Sequence, residues 1–247
     1  MRPWPYPKIF AHRLGGALAP ENTLAGLHCA SLLGIRAVEC DVKLSADGVL
    51  FILHDDTLER TTTGEGLAGA LSMAALRKLD AGTRHHPAFC GERLPMLEEL
   101  AREARARGIA VNLEIKPNPG QDEETGNRLA LAARALWNDT TPPLISSFSF
   151  EALCAAQAAA PELTRALLVT DIPADCLALL KQCGASALHA DHEALTQDTV
   201  QQLHAHGYKV MAYTVNSIER ARELQHWGVD MLCTDRPELL MSIREPG

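Results

Sequence analysis

Short apolar or alternating runs recur along the chain, separated by longer stretches in which apolar residues return every three or four positions. The first pattern has the period of a strand and the second that of an amphipathic helix. Strands are predicted at residues 9–12, 37–42, 110–115, 144–147, 165–169, 187–190, 209–215 and 230–234. Helices are predicted at 22–33, 96–107, 123–137, 150–159, 174–183, 196–206, 218–227 and 237–243. Several of them run into a glycine, at Gly34, Gly108, Gly184, Gly207 and Gly228, where the left-handed backbone that closes a helix is cheap. Strand and helix alternating eight times in 247 residues is the pattern of a (β/α)8 TIM barrel in a single domain. A doubly wound open sheet is the structural rival, but no GxGxxG follows the first strand.

The alternation breaks once. After the second strand, Asp47-Gly48 signals a hairpin, and the returning run 49–54 ends at His54. With Asp47 and Gly48 at the tip, His54 falls opposite Asp41; with a turn spanning 45–48, it falls opposite Glu39. Residues 55–95 then run on without a clear long helix, from TTTGEGLAG through a short helix near 73–79 to RHHPAFCGE. An excursion of that length is expected to be a small inserted subdomain or lid standing over the carboxyl-terminal mouth of the barrel.

Chemistry in such barrels gathers where the strands end. Strand alternation puts Phe10 and His12 on one face, with Arg13 next in the chain. It likewise groups Glu39 with Asp41, and Asn112 with Glu114 and Lys116. Further ends carry Ser146-Ser147-Phe148, His189 and Asp191, Tyr213 and Asn216, and Thr234-Asp235. Singly, these have plain explanations: His189 as a hydrogen-bonded interior residue, Asn216 as a helix cap, Phe148 as packing. Three carboxylates, two histidines, an arginine and a lysine converging from the first strands are harder to explain as scaffold, because buried charge is costly unless paired or bound to metal. Carboxylates suit a hard divalent cation such as Mg²⁺ or Ca²⁺, with Mn²⁺ also compatible. Arg13 and Lys116 suit a phosphate, and His12 and His54 suit general acid–base work near neutral pH. Together they describe in-line displacement at a phosphodiester.

A net charge of −8 without a basic run disfavours nucleic acid as a partner. Seven scattered cysteines without CxxC spacing are expected to be small buried residues in a reducing compartment. No apolar run approaches 18 residues, so neither a membrane span nor stable membrane association is expected, and the location is expected to be cytoplasmic.

The segments HR(x)GG…APENTLAG, VECDVKLSADG, HDDTLERTT, LEIKP and YTVN…GVDMLCTD, in that order across almost the whole chain, resemble the glycerophosphodiester phosphodiesterase family, especially the cytoplasmic members of enteric bacteria. The resemblance implies a divalent metal on Glu39, Asp41 and Glu114, catalysis by His12 and His54, and phosphate binding by Arg13 and Lys116. It also implies that Phe148 and Tyr213 line the glycerol or leaving-group side, and that a small glycerophosphodiester is cleaved to sn-glycerol 3-phosphate and an alcohol. One departure stands out: Leu14 follows His12-Arg13 where the family usually has glycine, and its side chain is expected to crowd the phosphate or alter the backbone's approach. Asn22 reads as the cap of the first helix. Two other functions compete. A non-catalytic phosphodiester- or metal-binding module would not need both histidines, and a phospholipase D-like enzyme for long-chain lysolipids would need an apolar rim that residues 55–95 supply only thinly.

Overall fold

The computed structural model describes residues 4–241. Eight parallel strands close on themselves: β1 (Ile9–Ala11), β2 (Ala37–Leu44), β4 (Ala110–Ile115), β5 (Leu144–Ser147), β6 (Arg165–Val169), β7 (Ala187–Asp191), β8 (Lys209–Tyr213) and β9 (Met231–Thr234). Pairing of β1 with both β9 and β2 shuts the ring, so the expected (β/α)8 TIM barrel is the observed fold. A ninth strand, β3 (Leu50–Ile52), runs antiparallel along the outer end of β2.

Helices α1 (Leu24–Leu32), α3 (Leu97–Arg107), α4 (Asp122–Leu136), α5 (Phe150–Ala159), α6 (Cys176–Gln182), α7 (Gln197–Ala205), α8 (Ile218–His226) and α9 (Pro237–Leu240) accompany the barrel strands, and the short α2 (Met73–Leu76) follows β3. The last helix was expected to reach 243; its final two positions lie outside the described residues. The five glycines expected to close helices all take positive φ, between 60° and 93°. Among the described residues, no helix is long and apolar enough to cross a membrane.

Alternation along the strands sorts the apolar residues into two cores. Outward-facing Val38, Cys40 and Val42 on β2, and Val111, Leu113 and Ile115 on β4, pack with buried helix residues such as Leu27, Leu100 and Leu129. Inward-facing Phe10, Ala37, Leu144, Ala166, Ala187, Met211 and Met231 fill the amino-terminal end of the barrel, with Tyr6 beneath them. All seven cysteines are free, but the expected burial holds only for Cys40, Cys176, Cys183 and Cys233; Cys29 and Cys154 are half-buried and Cys90 is exposed.

The hairpin takes neither expected register. Ser45 and Val49 pair across a three-residue loop, with Ser45 N donating to Val49 O at 3.0 Å and Gly48 N to Ser45 O at 2.9 Å. Gly48 sits at φ 75°, and that left-handed residue adds the odd position. Val42 therefore faces Ile52, and extending that ladder would set His54 opposite Cys40, on the wrong face for the carboxylates. The ladder does not extend. β3 ends at Ile52, and after one more bond, Leu53 N to Asp41 O at 3.0 Å, the chain bends at His54 and turns the imidazole to the barrel mouth.

Residues 53–96 build a small apolar cluster of their own with Phe51, from Leu53, Leu58, Ala68, Met73, Leu76, Ala81 and Leu94. The fully buried Lys43 donates to Asp56 at 2.6 Å and ties the start of this segment to β2.

Candidate active site

The site begins with strand register. Parallel pairing sets Glu39 beside Asn112, Asp41 beside Glu114, and Glu114 beside Ser146. Since neighbours in register project to the same face, Glu39, Asp41 and Glu114 are bound to converge inside the barrel. A ligand oxygen from each lies within 4.8 Å of the others, and all three residues are buried. Burial, then the charge of Asp41, raises the carboxyl pKa of both Glu39 and Glu114. Oε1 of Glu39 is buried without any hydrogen-bond partner. An unpartnered oxygen in a buried trio of carboxylates is what a hard divalent cation would satisfy, and in this respect the residues fit the group expected of them.

His12 and His54 flank the trio with parallel arrangements. Nδ1 of His12 lies 2.7 Å from Oδ1 of Asp235, and Nδ1 of His54 lies 2.7 Å from Oδ1 of Asp55. Each imidazole therefore keeps Nε2 for the site; that of His12 is 3.9 Å from Oε2 of Glu39. Their environments push in opposite directions. Burial works against the charged form of His12, but the Asp235 hydrogen bond and the charge of Glu39 outweigh it, and its pKa is raised. At His54 burial prevails over Asp41 and Asp55, and the pKa is lowered.

Arg13 is held by both ends. Its backbone N–H donates to Oε2 of Glu39 at 2.9 Å, and its Nη1 donates to Glu21 at 2.8 Å, while the buried Nε has no partner. Glu21 is gripped in turn by Arg60 at 2.7 and 2.8 Å. Lys116 Nζ pairs with Glu114 at 2.9 Å and stands 5.5 Å from the centre of the Phe148 ring. All the expected site residues except Asp41 line one cavity of about 180 Å³ at the barrel mouth. Asp41 lies just beneath it, 1% exposed.

Several expectations need correction. Phe148 is not packing: it is 47% exposed and meets Tyr213 edge-on at 6.1 Å on the cavity wall. Asn22 does not cap α1, a task that falls to the Thr23 hydroxyl. Instead Asn22, buried at φ 57°, donates to Asp41 Oδ2 at 2.8 Å and accepts from the Asp41 N–H at 3.3 Å. Asn216 does not cap α8, where Ser217 does so; it donates to Asp235 Oδ2 at 3.0 Å and accepts the Asp235 N–H at 2.9 Å, fixing the partner of His12. His189 is interior, as expected, but its Nε2 has no hydrogen-bond partner, and burial pushes its pKa down to about 3.

Leu14 does not crowd the site. It is fully buried in the outer core, at φ 74°, and lines neither cavity that touches His12. Glycine suits this position because the backbone is left-handed, not because a ligand needs the space.

The model of the glycerophosphoryl diester phosphodiesterase family matches residues 12–239. The chain belongs to that family. The expected enzyme class, a phosphoric diester hydrolase, stands with it. A glycerophosphodiester phosphodiesterase of Caldanaerobacter subterraneus subsp. tengcongensis is 32% identical over 97% of this chain and 98% of its own. A phosphodiesterase of Oleispira antarctica, solved in complex with the product sn-glycerol-3-phosphate, superposes with a TM-score of 0.92 at 38% identity, covering 96% of each chain. A glycerophosphodiester phosphodiesterase of Agrobacterium tumefaciens gives 0.80 at 31% identity, over 96% of this chain and 99% of the other.

Proposed function

We propose that this enzyme hydrolyses glycerophosphodiesters to sn-glycerol 3-phosphate and an alcohol, with a divalent cation on Glu39, Asp41 and Glu114 and with His12 and His54 as the acid–base pair. The observation that carries the reading is the convergence on one cavity of two imidazoles around three buried carboxylates, each imidazole having Nδ1 committed to an acid. The all-oxygen donor set suits Mg²⁺ or Ca²⁺, with Mn²⁺ also compatible. Bound there, the cation would polarise a phosphoryl oxygen and offset the negative charge gathered at the mouth.

The protein's own groups do the rest. Arg13 and the ammonium of Lys116, both on the cavity wall, bind and orient the phosphate. Asp235 and Asp55 fix each ring so that Nε2 faces the substrate, and each stabilises the imidazolium when its ring is charged. One Nε2 takes the proton from the attacking hydroxyl as the new P–O bond forms; the other gives a proton to the departing alcohol oxygen as the old bond breaks. Water and the substrate's own glycerol 2-hydroxyl both fit as the attacking group. Phe148 and Tyr213 line the glycerol side of the cavity. The product in the Oleispira relative supports the substrate class, and the seven free thiols support a cytoplasmic place of work.

The test incubates EDTA-stripped protein with glycerophosphocholine, with and without Mg²⁺, Mn²⁺ or Ca²⁺, and measures glycerol 3-phosphate. Release that depends on the added ion is expected. Folded protein that releases none with any ion would overturn the reading, and release equal with and without ions would overturn the metal.

A further inference from the structure

His12 and Arg13 border two cavities, not one. The first is the 180 Å³ cavity with Phe148, Tyr213 and the carboxylates. The second, of about 460 Å³, lies on the other side of the same two residues, between the loop 16–21 and residues 60–85 of the excursion after β3. A phosphodiester has two ester arms. With phosphate at Arg13 and the glycerol arm beside Phe148 and Tyr213, the second cavity is open to the alcohol arm.

The charges in that groove are unevenly spent. Glu21 is held by Arg13 and Arg60, and Asp235 by His12 and Asn216. Arg60 is itself divided between Glu21 and Asp55. Arg84 differs. Its Nε donates to the Thr62 carbonyl at 2.6 Å, and no acid among the described residues pairs with it. The loop that carries it is anchored by Asp80, which accepts from the N–H groups of Gly82, Thr83 and Gly91 at 2.8, 2.8 and 2.6 Å. The groove thus offers one fixed, unpaired guanidinium. Apart from the imidazoles of His12 and His85 it is lined by no aromatic ring, and no Phe, Tyr or Trp borders it, so a quaternary ammonium would find neither an aromatic cage nor a free acid.

We propose that this groove is the leaving-alcohol subsite and that Arg84 makes it favour alcohols bearing a carboxylate or phosphate over those bearing a quaternary ammonium. The proposal rests on the function proposed above. Arg84 acts as a specificity residue through a charge-assisted hydrogen bond to the far end of the alcohol, without touching the reacting atoms.

The experiment compares kcat/KM for glycerophosphoserine and glycerophosphocholine in the metal-loaded wild type and in Arg84→Gln. The variant is expected to lose roughly tenfold on glycerophosphoserine, the order of one hydrogen bond to a charged group, and to stay within about twofold on glycerophosphocholine, which also reports that its fold is intact. Raising the ionic strength should shrink the wild-type preference, because Arg84 is exposed. Equal losses on both substrates, or no loss on either, would overturn the subsite while leaving glycerophosphodiester hydrolysis standing. A wild type inactive on both diesters would overturn the proposed function, and the subsite with it.

Discussion

The two ends of the barrel interior answer the same inward alternation in opposite ways. On β2, successive inward residues are Ala37, Glu39 and Asp41; on β4, they are Ala110, Asn112 and Glu114. At the amino-terminal end these positions join Phe10, Leu144, Ala166, Ala187, Met211 and Met231 in a packed apolar plug. Two to four residues further on, the same strands present the carboxylates Glu39, Asp41 and Glu114, and Oε1 of Glu39 has no hydrogen-bond partner. The lower layer can hold its shape by close packing. The upper layer cannot, since like charges buried together repel; it is held by the layer beneath and by polar braces from elsewhere in the chain. Stability should therefore reside below and activity above.

The sharpest break of that division comes from the histidines. His12→Ala and His54→Ala should each lower turnover of glycerophosphocholine by roughly 10²–10⁴-fold, with melting temperatures close to wild type. Near-wild-type turnover in both variants would remove the acid–base assignment. The converse is Phe10→Ala in the plug. It should cost about 3–5 kcal/mol of stability, read from denaturant midpoints, while folded protein below its transition keeps most of its kcat/KM.

Glu39→Gln sharpens the contrast within the mouth itself. Removing one of three crowded charges should raise the melting temperature of metal-free protein while weakening the stabilisation that added Mg²⁺, Mn²⁺ or Ca²⁺ provides. For a bound ion that stabilisation is about 2.7 kcal/mol at a hundred times Kd. Thermal melts across an ion titration check both signs, and an unchanged titration would remove Glu39 from the ligand set.

What the sequence made legible follows the same division. Alternation with period two needs only local information, and it was enough to bring Glu39 with Asp41 and Glu114 with Lys116. The braces were not legible, because they cross the fold. Asp235 is 223 positions from His12, and nothing local distinguishes it from any acid at a strand end. Asn22 and Asn216 looked like caps because each stands just before a helix; their neighbours Thr23 and Ser217 took that work. Glycine in the turn warned of a hairpin but left its length open, and one added residue was enough to change what faces His54. Only Asp55, next to His54 in the chain, had a local signal that could have been read.

Asp235 offers a smaller and more specific test. Its carboxylate stabilises the charged form of His12 and so raises that group's pKa. Asp235→Asn should therefore move the limb of the pH–rate profile that belongs to His12 toward acid, leaving the other limb in place. A profile merely scaled down, with both limbs fixed, would mean that Asp235 orients the ring without tuning it.

Leu14 marks the boundary between the two regimes, since it follows Arg13 on the cavity wall yet belongs to the packing layer. A left-handed non-glycine residue costs roughly 1–2 kcal/mol, and burying a leucine returns about 1.5–3 kcal/mol, so the two effects nearly offset. Leu14→Ala keeps the backbone strain and loses the packing; Leu14→Gly loses the packing and relieves the strain. The glycine variant should therefore be the more stable of the two by about 1 kcal/mol, although it deletes more atoms, and both should cleave glycerophosphocholine at the wild-type rate. If the order of stability were reversed, the backbone at Leu14 would carry no strain. If either variant changed KM, the residue would belong to the site after all.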